Sequence, residues 1–145
     1  GMVLAAACDL RIAADDARFM IPELDAGIPL AWGGMAWVVR LVGETLAADL
    51  VLSCRPFGAE EALQAGFISR IIPRDRLQDE LAALEAGVAA KSRYVLRVTK
   101  RQLQGIRRAT FDARNDADAL LGALEDPEST QQGMRYVAAA MGSKK

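Results

Sequence analysis

The second half of the sequence is a succession of amphipathic helices, and this pattern constrains the fold more than any other feature. Four apolar residues after Pro73 recur at i, i+4, i+7 and i+11, on one face of a helix: Leu77, Leu81, Leu84 and Val88. Similar patterns predict three further helices, over 95–106, 112–124 and 126–141. No linker or repeat interrupts the chain, so residues 1–73 and 74–145 are predicted to be two parts of one domain.

The first half of the sequence alternates short apolar segments with turns. It predicts strands at 10–14, 17–21 and 67–72, and helices at 35–42, 44–53 and 59–65. The apolar run at residues 2–8 has the composition of a core element. Three short strands are too few to form a stable sheet alone, so the first half is expected to need further partners.

Composition excludes several classes of function. The 145 residues carry 18 Lys and Arg against 19 Asp and Glu, and this balance argues against a nucleic-acid partner. The chain has no histidine, so no metal site with histidine ligands and no histidine-based hydrolase is expected. Cys8 and Cys54 are predicted to be small buried hydrophobes in a reducing, cytoplasmic compartment. No stretch approaches the roughly 18 apolar residues of a membrane span, so no membrane partner is expected.

Five motifs follow one another in the order and spacing of a known family. They are ACDLRIA at 7–13, PELDAGI at 22–28, GG at 33–34 with RLVG at 40–43, AEEA at 59–62 with AGFI at 65–68, and IP at 72–73. Together they resemble the C-terminal half of the crotonase superfamily, the enoyl-CoA hydratase/isomerase family. The resemblance implies an α/β fold: a partial crotonase-like (ClpP/crotonase) spiral core with a few short strands, followed by a mainly helical C-terminal region.

The resemblance also implies an acyl-CoA thioester as substrate. Coenzyme A would then be part of the substrate, with no covalently bound cofactor, and the protein would be a homo-oligomer, either a trimer or a hexamer. Two backbone N–H groups of such enzymes face the thioester oxygen and stabilise the enolate that forms there. Gly1 matches the second glycine of the pair that contributes one of these groups, and is the candidate for this element.

The resemblance places the acid/base chemistry on Glu23. Hydratases of the family use two glutamates, and the first of these positions is Val3 here, whose side chain cannot accept a proton. One remaining carboxylate resembles the isomerase branch, in which a single glutamate moves a proton while the double bond migrates. Apolar neighbours such as Ile21, Leu24 and Trp32 would favour the protonated form and so suit a general base. The alternative for Glu23 is a capping carboxylate on the surface.

Further candidate residues surround this glutamate or lie at the C-terminus. The predicted acyl pocket comprises Val3, Pro22, Gly27, Trp32, Gly33 and Gly34, although Trp32 could equally be part of the core. Lys144 and Lys145 are candidates for binding coenzyme A. The basic residues between 93 and 108 are interpreted as a solvated helix face balanced by Asp112, Asp116 and Asp118.

The sequence thus predicts an acyl-CoA-processing enzyme, an isomerase or a lyase, that uses Glu23. The alternative is a truncated, catalytically incompetent crotonase-like chain that acts only as an oligomerising remnant of the fold.

Overall fold

The computed structural model describes residues 1–110 and 112–142, and it divides into two units between Leu81 and Ala82. The first unit contains short helices and strands. They are α1 (Met2–Ala7), β1 (Ile12–Ala14), β2 (Arg18–Phe19), α2 (Gly34–Val42), α3 (Glu44–Ser53), β3 (Phe57–Gly58), α4 (Ala59–Gln64), β4 (Arg70–Ile72) and a 3-10 turn (Arg74–Arg76). Helix α5 (Leu77–Ala89) begins in this unit. The grouping of residues 1–73 and 74–145 into one domain stays a prediction.

The strands form two pairs. Strand β1 runs parallel to β4, with Ile12 beside Arg70 and Ala14 beside Ile72, and β2 runs antiparallel to β3. The predicted strand at 67–72 is too long, because the amides of Phe67 and Ile68 both donate to the carbonyl of Ala62, at 2.9 and 3.2 Å, and so close the end of α4 instead.

The other strand predictions also need correction. The segments predicted at 10–14 and 17–21 form ladders only over Ile12–Ala14 and Arg18–Phe19. Strand β3 was not predicted, since Pro56 and Gly58 indicate a turn. It is defined by the pairing of Phe57 with Phe19, which no local pattern reveals.

Two clusters of apolar side chains hold the first unit together. One centres on three phenylalanine rings, with centroids 5.2 Å apart for Phe19 and Phe57 and 5.6 Å apart for Phe19 and Phe67. The other cluster is smaller and comprises Ile21, Val38, Ala47 and Val51, with Met2 and Leu30 among the side chains packed against it. This second cluster joins α1, α2 and α3 to both ends of the segment that carries Glu23.

The two cysteines differ in environment. Cys54 is 4% exposed, as predicted for a buried hydrophobe. The same prediction is wrong for Cys8, which is exposed. Helix α1 ends one residue earlier, at Ala7, and the Cys8 side chain donates back to the carbonyl of Leu4 at 3.4 Å.

The second unit is helical. It contains the remainder of α5, then α6 (Arg93–Arg107), a 3-10 turn (Ala113–Asn115), α7 (Asp116–Glu125) and α8 (Pro127–Gly142). The four predicted helices are therefore present, although α7 begins four residues later than predicted because residues 113–115 form the 3-10 turn. Within the described residues, no helix combines the length and apolar character needed to cross a membrane.

A polar cluster around the buried Ser92 joins the starts of α6 and α8. The hydroxyl of Ser92, a residue that is 1% exposed, lies 2.6 Å from the hydroxyl of Ser129 and 3.2 Å from Oδ2 of Asp126. The Ser129 amide donates to the same Asp126 oxygen at 2.8 Å. These side chains satisfy amides that the first turn of a helix leaves without partners.

Candidate active site

Glu23 lies on the segment between β2 and α2, and the fold fixes this segment at both ends. Ile21, at 1% exposure, anchors the start of the segment in the second apolar cluster, and Leu30 packs against the same cluster. Between them, the amide of Ala26 donates to the carbonyl of Pro22 at 3.1 Å, and the amide of Ile28 donates to the carbonyl of Glu23 at 3.0 Å. Glu23 therefore lies in a hydrogen-bonded turn whose two ends are packed against the second apolar cluster.

One oxygen of the Glu23 carboxylate is buried without a hydrogen-bond partner among the described residues. This atom is Oε2, although the residue as a whole is only partly buried. Burial of a carboxylate oxygen without a partner is costly, so buried polar atoms in folded proteins are nearly always satisfied. The surface capping role considered for Glu23 does not fit this burial. Among the described residues, this oxygen therefore keeps its capacity to accept a hydrogen bond or a proton.

Val3, Leu30 and Gly34 meet beside this segment. A methyl group built on Gly34 would lie 2.8 Å from Cγ2 of Val3 and 2.9 Å from Cγ of Leu30. The structure thus brings together two residues of the predicted acyl pocket, Val3 and Gly34, at a contact where a Cβ on residue 34 would force a neighbouring side chain to shift. Leu30 was not predicted to belong to the site. The one feature of the sequence that could have indicated Leu30 is its position as an apolar residue directly after Pro29 in a predicted turn.

The remaining predicted pocket residues lie closer to solvent. Pro22, Gly27 and Gly33 are exposed, and both glycines have the positive φ that glycine accommodates best, at 74° and 69°. Trp32 is 80% exposed, so its interpretation as a core residue is wrong. Its role in the acyl pocket stays a prediction.

Of the candidates near the two ends of the sequence, the structure describes Gly1 but not the two lysines. Gly1 is exposed and precedes α1, and its carbonyl accepts from the amide of Ala5 at 3.0 Å. Its part in an oxyanion hole stays a prediction. Lys144 and Lys145 lie outside the described residues.

The basic face of α6 borders a cavity of about 420 Å³ within the helical unit. Arg101 and Arg108 line this cavity together with Asp112, Asp116 and Asp118. Asp116 accepts a hydrogen bond from Gln102 at 3.0 Å, and Asp112 pairs with Arg114 at 2.6 Å. Both signs of charge are therefore interspersed, as the interpretation of a balanced helix face requires. Among the residues that the structure describes, no group of three potential ligands could hold a metal ion.

Comparison with known proteins identifies the family to which this chain belongs. A family model described as enoyl-CoA hydratase/isomerase matches residues 1–138. The chain belongs to the enoyl-CoA hydratase/isomerase family. The resemblance to the crotonase superfamily is thus confirmed, and with it the predicted α/β fold class.

Relatives within the family are similar over much of this chain. A probable enoyl-CoA hydratase of Mycobacterium leprae is 38% identical over 69% of the chain, and a 2,3-dehydroadipyl-CoA hydratase of Escherichia coli is 33% identical over 87%. A crystal structure of a putative enoyl-CoA hydratase from Thermobifida fusca, in complex with acetoacetyl-CoA, is 33% identical and covers 86% of the chain with a TM-score of 0.78.

The matched region is only part of each relative. The chain covers 39% of the M. leprae protein, 51% of the E. coli protein and 50% of the T. fusca chain. It therefore spans about half or less of the length of these relatives.

Proposed function

We propose that this chain carries the acid/base glutamate of an acyl-CoA-processing site and that Glu23 moves a proton between two carbons of an enoyl thioester. Its carboxylate takes a proton from C2 of a 3-enoyl thioester, and the electron pair delocalises onto the thioester oxygen as a dienolate. The protonated Glu23 then returns the proton to C4, so that the double bond migrates and no atom is gained or lost. Coenzyme A enters and leaves as part of the substrate.

The observation that carries this proposal is the buried Oε2 of Glu23, which has no hydrogen-bond partner among the described residues. A general base needs an oxygen that is free to accept a proton and is shielded from bulk water. The T. fusca structure, with its bound acetoacetyl-CoA, supports a thioester as the ligand of this family site.

Val3 favours proton transfer over hydration. A hydratase of the predicted type needs a second carboxylate to orient water, and Val3 instead packs its methyl group against Gly34. The relatives from M. leprae and E. coli are named hydratases, so the assay has to measure both reactions.

The alternative stays a catalytically incompetent remnant of the fold, which would fold and associate without turning over a thioester.

Glu23→Gln tests the proposal. The amide keeps the size of the side chain but cannot act as the base, so the rate of 3-enoyl-CoA isomerisation is expected to fall by about 10²- to 10⁴-fold. The measurement is the isomerisation rate of the purified protein, with 2-enoyl-CoA hydration followed in parallel. Glu60→Gln is the matched control, because it replaces a carboxylate by an amide at an exposed position of α4.

Three results separate the candidates. Unchanged isomerisation in the Glu23→Gln variant would remove Glu23 from the mechanism. Hydration that is fast in the unmodified protein, with no isomerisation, would contradict the assignment based on Val3. A protein with a native circular dichroism spectrum and neither activity would favour the incompetent remnant.

A further inference from the structure

Glu23 is the first residue of a turn that has the hydrogen-bond pattern of a helix end. The amide of Ile28 donates to the carbonyl of Glu23 at 3.0 Å, and the amide of Gly27 donates to the carbonyl of Leu24 at 3.0 Å. This nested pair of bonds, with a left-handed residue at the fifth position, is the Schellman motif that closes many helices. The left-handed residue is Gly27, whose φ is 74°.

The same motif occurs a second time in this unit, where it ends a helix. The amide of Gly66, which has a φ of 75°, donates to the carbonyl of Leu63 at 3.0 Å, and the next amide donates to the carbonyl of Ala62 at 2.9 Å. These bonds satisfy carbonyls that the last turn of α4 leaves without partners. Before Glu23, by contrast, the described residues 20–22 are not helical. The motif has no helix to end there, and its effect is to fix the backbone of the glutamate.

Position 27 needs a glycine for its backbone angles and not for space. A Cβ built on Gly27 would meet no atom of the described residues within 4 Å, apart from its neighbours in the chain. A φ of 74° is accessible to glycine without strain, whereas a residue with a side chain rarely adopts it. Gly34 is the opposite case, since a Cβ there would lie 2.8 Å from Cγ2 of Val3. A side chain at position 27 would therefore disturb the turn and not the packing.

The turn matters to the carboxylate because backbone angles limit the rotamers that a side chain can adopt. Ile21, at 1% exposure, fixes the chain two residues before Glu23, and the bond from Ile28 fixes the carbonyl of the glutamate itself. Oε2 of Glu23 is buried, and no hydrogen bond from the described residues orients it. The position of this oxygen therefore depends on packing and on the backbone that carries it.

We infer that Gly27 is a positioning residue for the base: its left-handed conformation closes the turn that orients the Glu23 carboxylate. The inference rests on the function proposed for Glu23. It differs from the predicted place of Gly27 in the acyl pocket, where a glycine would serve by leaving room for the ligand. A misplacement of about 1 Å is enough to lower a catalysed rate by about 10²-fold, so a small change in this turn would act on the proton transfer.

Three variants separate conformation from space and from stability. Gly27→Ala adds the smallest side chain, and Gly27→Asn adds a larger one that tolerates left-handed backbone. Gly66→Ala is the matched control, because it makes the same change in the second motif, where the added Cβ lies at an ordinary 3.7 Å from the carbonyl oxygen of Leu41. Both alanine variants should lower the melting temperature by about 3–8 °C, so a loss of activity that follows stability alone would appear in both.

The measurement is kcat and KM for 3-enoyl-CoA isomerisation, at a temperature at which all variants are folded. Gly27→Ala should lower kcat by about 10- to 100-fold with KM changed by less than about twofold, and Gly27→Asn should recover kcat to within about fivefold of the unmodified protein. Gly66→Ala should change neither by more than about twofold. Asparagine more harmful than alanine at position 27 would indicate a need for space and would overturn the inference. Equal losses of kcat in Gly27→Ala and Gly66→Ala would also overturn it.

NMR provides a second readout that does not depend on turnover. In protein labelled with ¹³C-glutamate, the carboxyl signal of Glu23 is assigned by its absence in Glu23→Gln. This signal should shift in Gly27→Ala and stay in place in Gly66→Ala. An unchanged signal, or an unchanged kcat in an active protein, would overturn this inference alone. A shifted signal in a protein with neither isomerisation nor hydration would contradict the function proposed for Glu23 and leave the placement of its carboxylate by Gly27 intact.

Discussion

At the scale of single residues, Gly34 determines how closely α1 and the Glu23 segment approach α2. The side chains that face it are Val3, which is stiff at its first torsion, and Leu30. Leu30 is further restrained because it also packs against the second apolar cluster. Gly34 therefore has a role in packing, in addition to its predicted place in the acyl pocket.

Gly34→Ala should lower the free energy of unfolding by about 1–3 kcal/mol, because the added methyl group overpacks this contact. Urea unfolding followed by tryptophan fluorescence measures the change, since both tryptophans lie near the altered contact in sequence. Gly58→Ala is the control in the same unit. Its added methyl group meets only the guanidinium of Arg18, at 3.2 Å, which can rotate away. Equal costs for the two variants would contradict the packing argument.

The sequence suggested candidate residues for the site but not the environments in which they lie. The motif around Glu23 made this glutamate a candidate, but the burial of a single carboxylate oxygen depends on packing that only the fold supplies. The exposure of Trp32 and the contact of Leu30 with Gly34 were likewise not predictable. Both depend on the backbone angles of a turn, among them a φ of 54° at Trp32 that no local pattern indicates.

At the scale of elements, the helices were predicted well and the strands poorly. Helix α3 begins and ends where predicted, at Glu44 and Ser53, because Gly43 and Cys54 bound it locally. Strands β2 and β3 each contain two residues and exist through pairing across the chain. A local pattern cannot reveal a partner that lies about 40 residues away.

The cluster at the starts of α6 and α8 predicts a dependence of stability on pH. Hydrogen bonds from the side chain and the amide of Ser129 hold the pKa of Asp126 below its usual value of 3.8, and the Ser92 hydroxyl adds to this effect. A lowered pKa in the folded state means that the charged carboxylate stabilises the fold above the unfolded pKa. This stabilisation is lost as the pH falls through the folded pKa.

Asp126→Asn should therefore be less stable than the unmodified chain at neutral pH, and the difference should shrink below about pH 4. This difference in stability is measured from the midpoints of urea unfolding, followed by circular dichroism, between pH 2.5 and pH 7. Asparagine remains a good helix cap, so the variant changes mainly the charge. Ser129→Ala should weaken the pH dependence by removing the largest cause of the shift. A stability difference that stays constant down to pH 2.5 would contradict this account.

At the scale of the whole molecule, the described residues leave much apolar surface uncovered. Three leucines of α7 are more than half exposed: Leu120, Leu121 and Leu124. The described strands of the first unit form only two-stranded sheets, whose edges retain backbone groups able to pair further. Surfaces of both kinds favour association.

The expected outcome is a homo-oligomer in solution, a trimer or a hexamer. Light scattering coupled to size exclusion, at micromolar concentration, should give a mass at least three times the chain mass of 15.6 kDa. A dilution series is the control, because a specific assembly keeps its stoichiometry over a range of concentrations and nonspecific aggregates do not. A single species at the mass of one chain would contradict the prediction.

The parallel pairing of β1 with β4 also sets the order in which the chain can mature during synthesis. Arg11 and Ser69, which are 58 residues apart, are hydrogen-bonded at the end of this pair. Ribosomes add about 5–20 residues each second, so β1 waits roughly 3–12 seconds for its partner to be made. During that interval the nascent segment exposes the backbone groups of β1 that β4 later pairs.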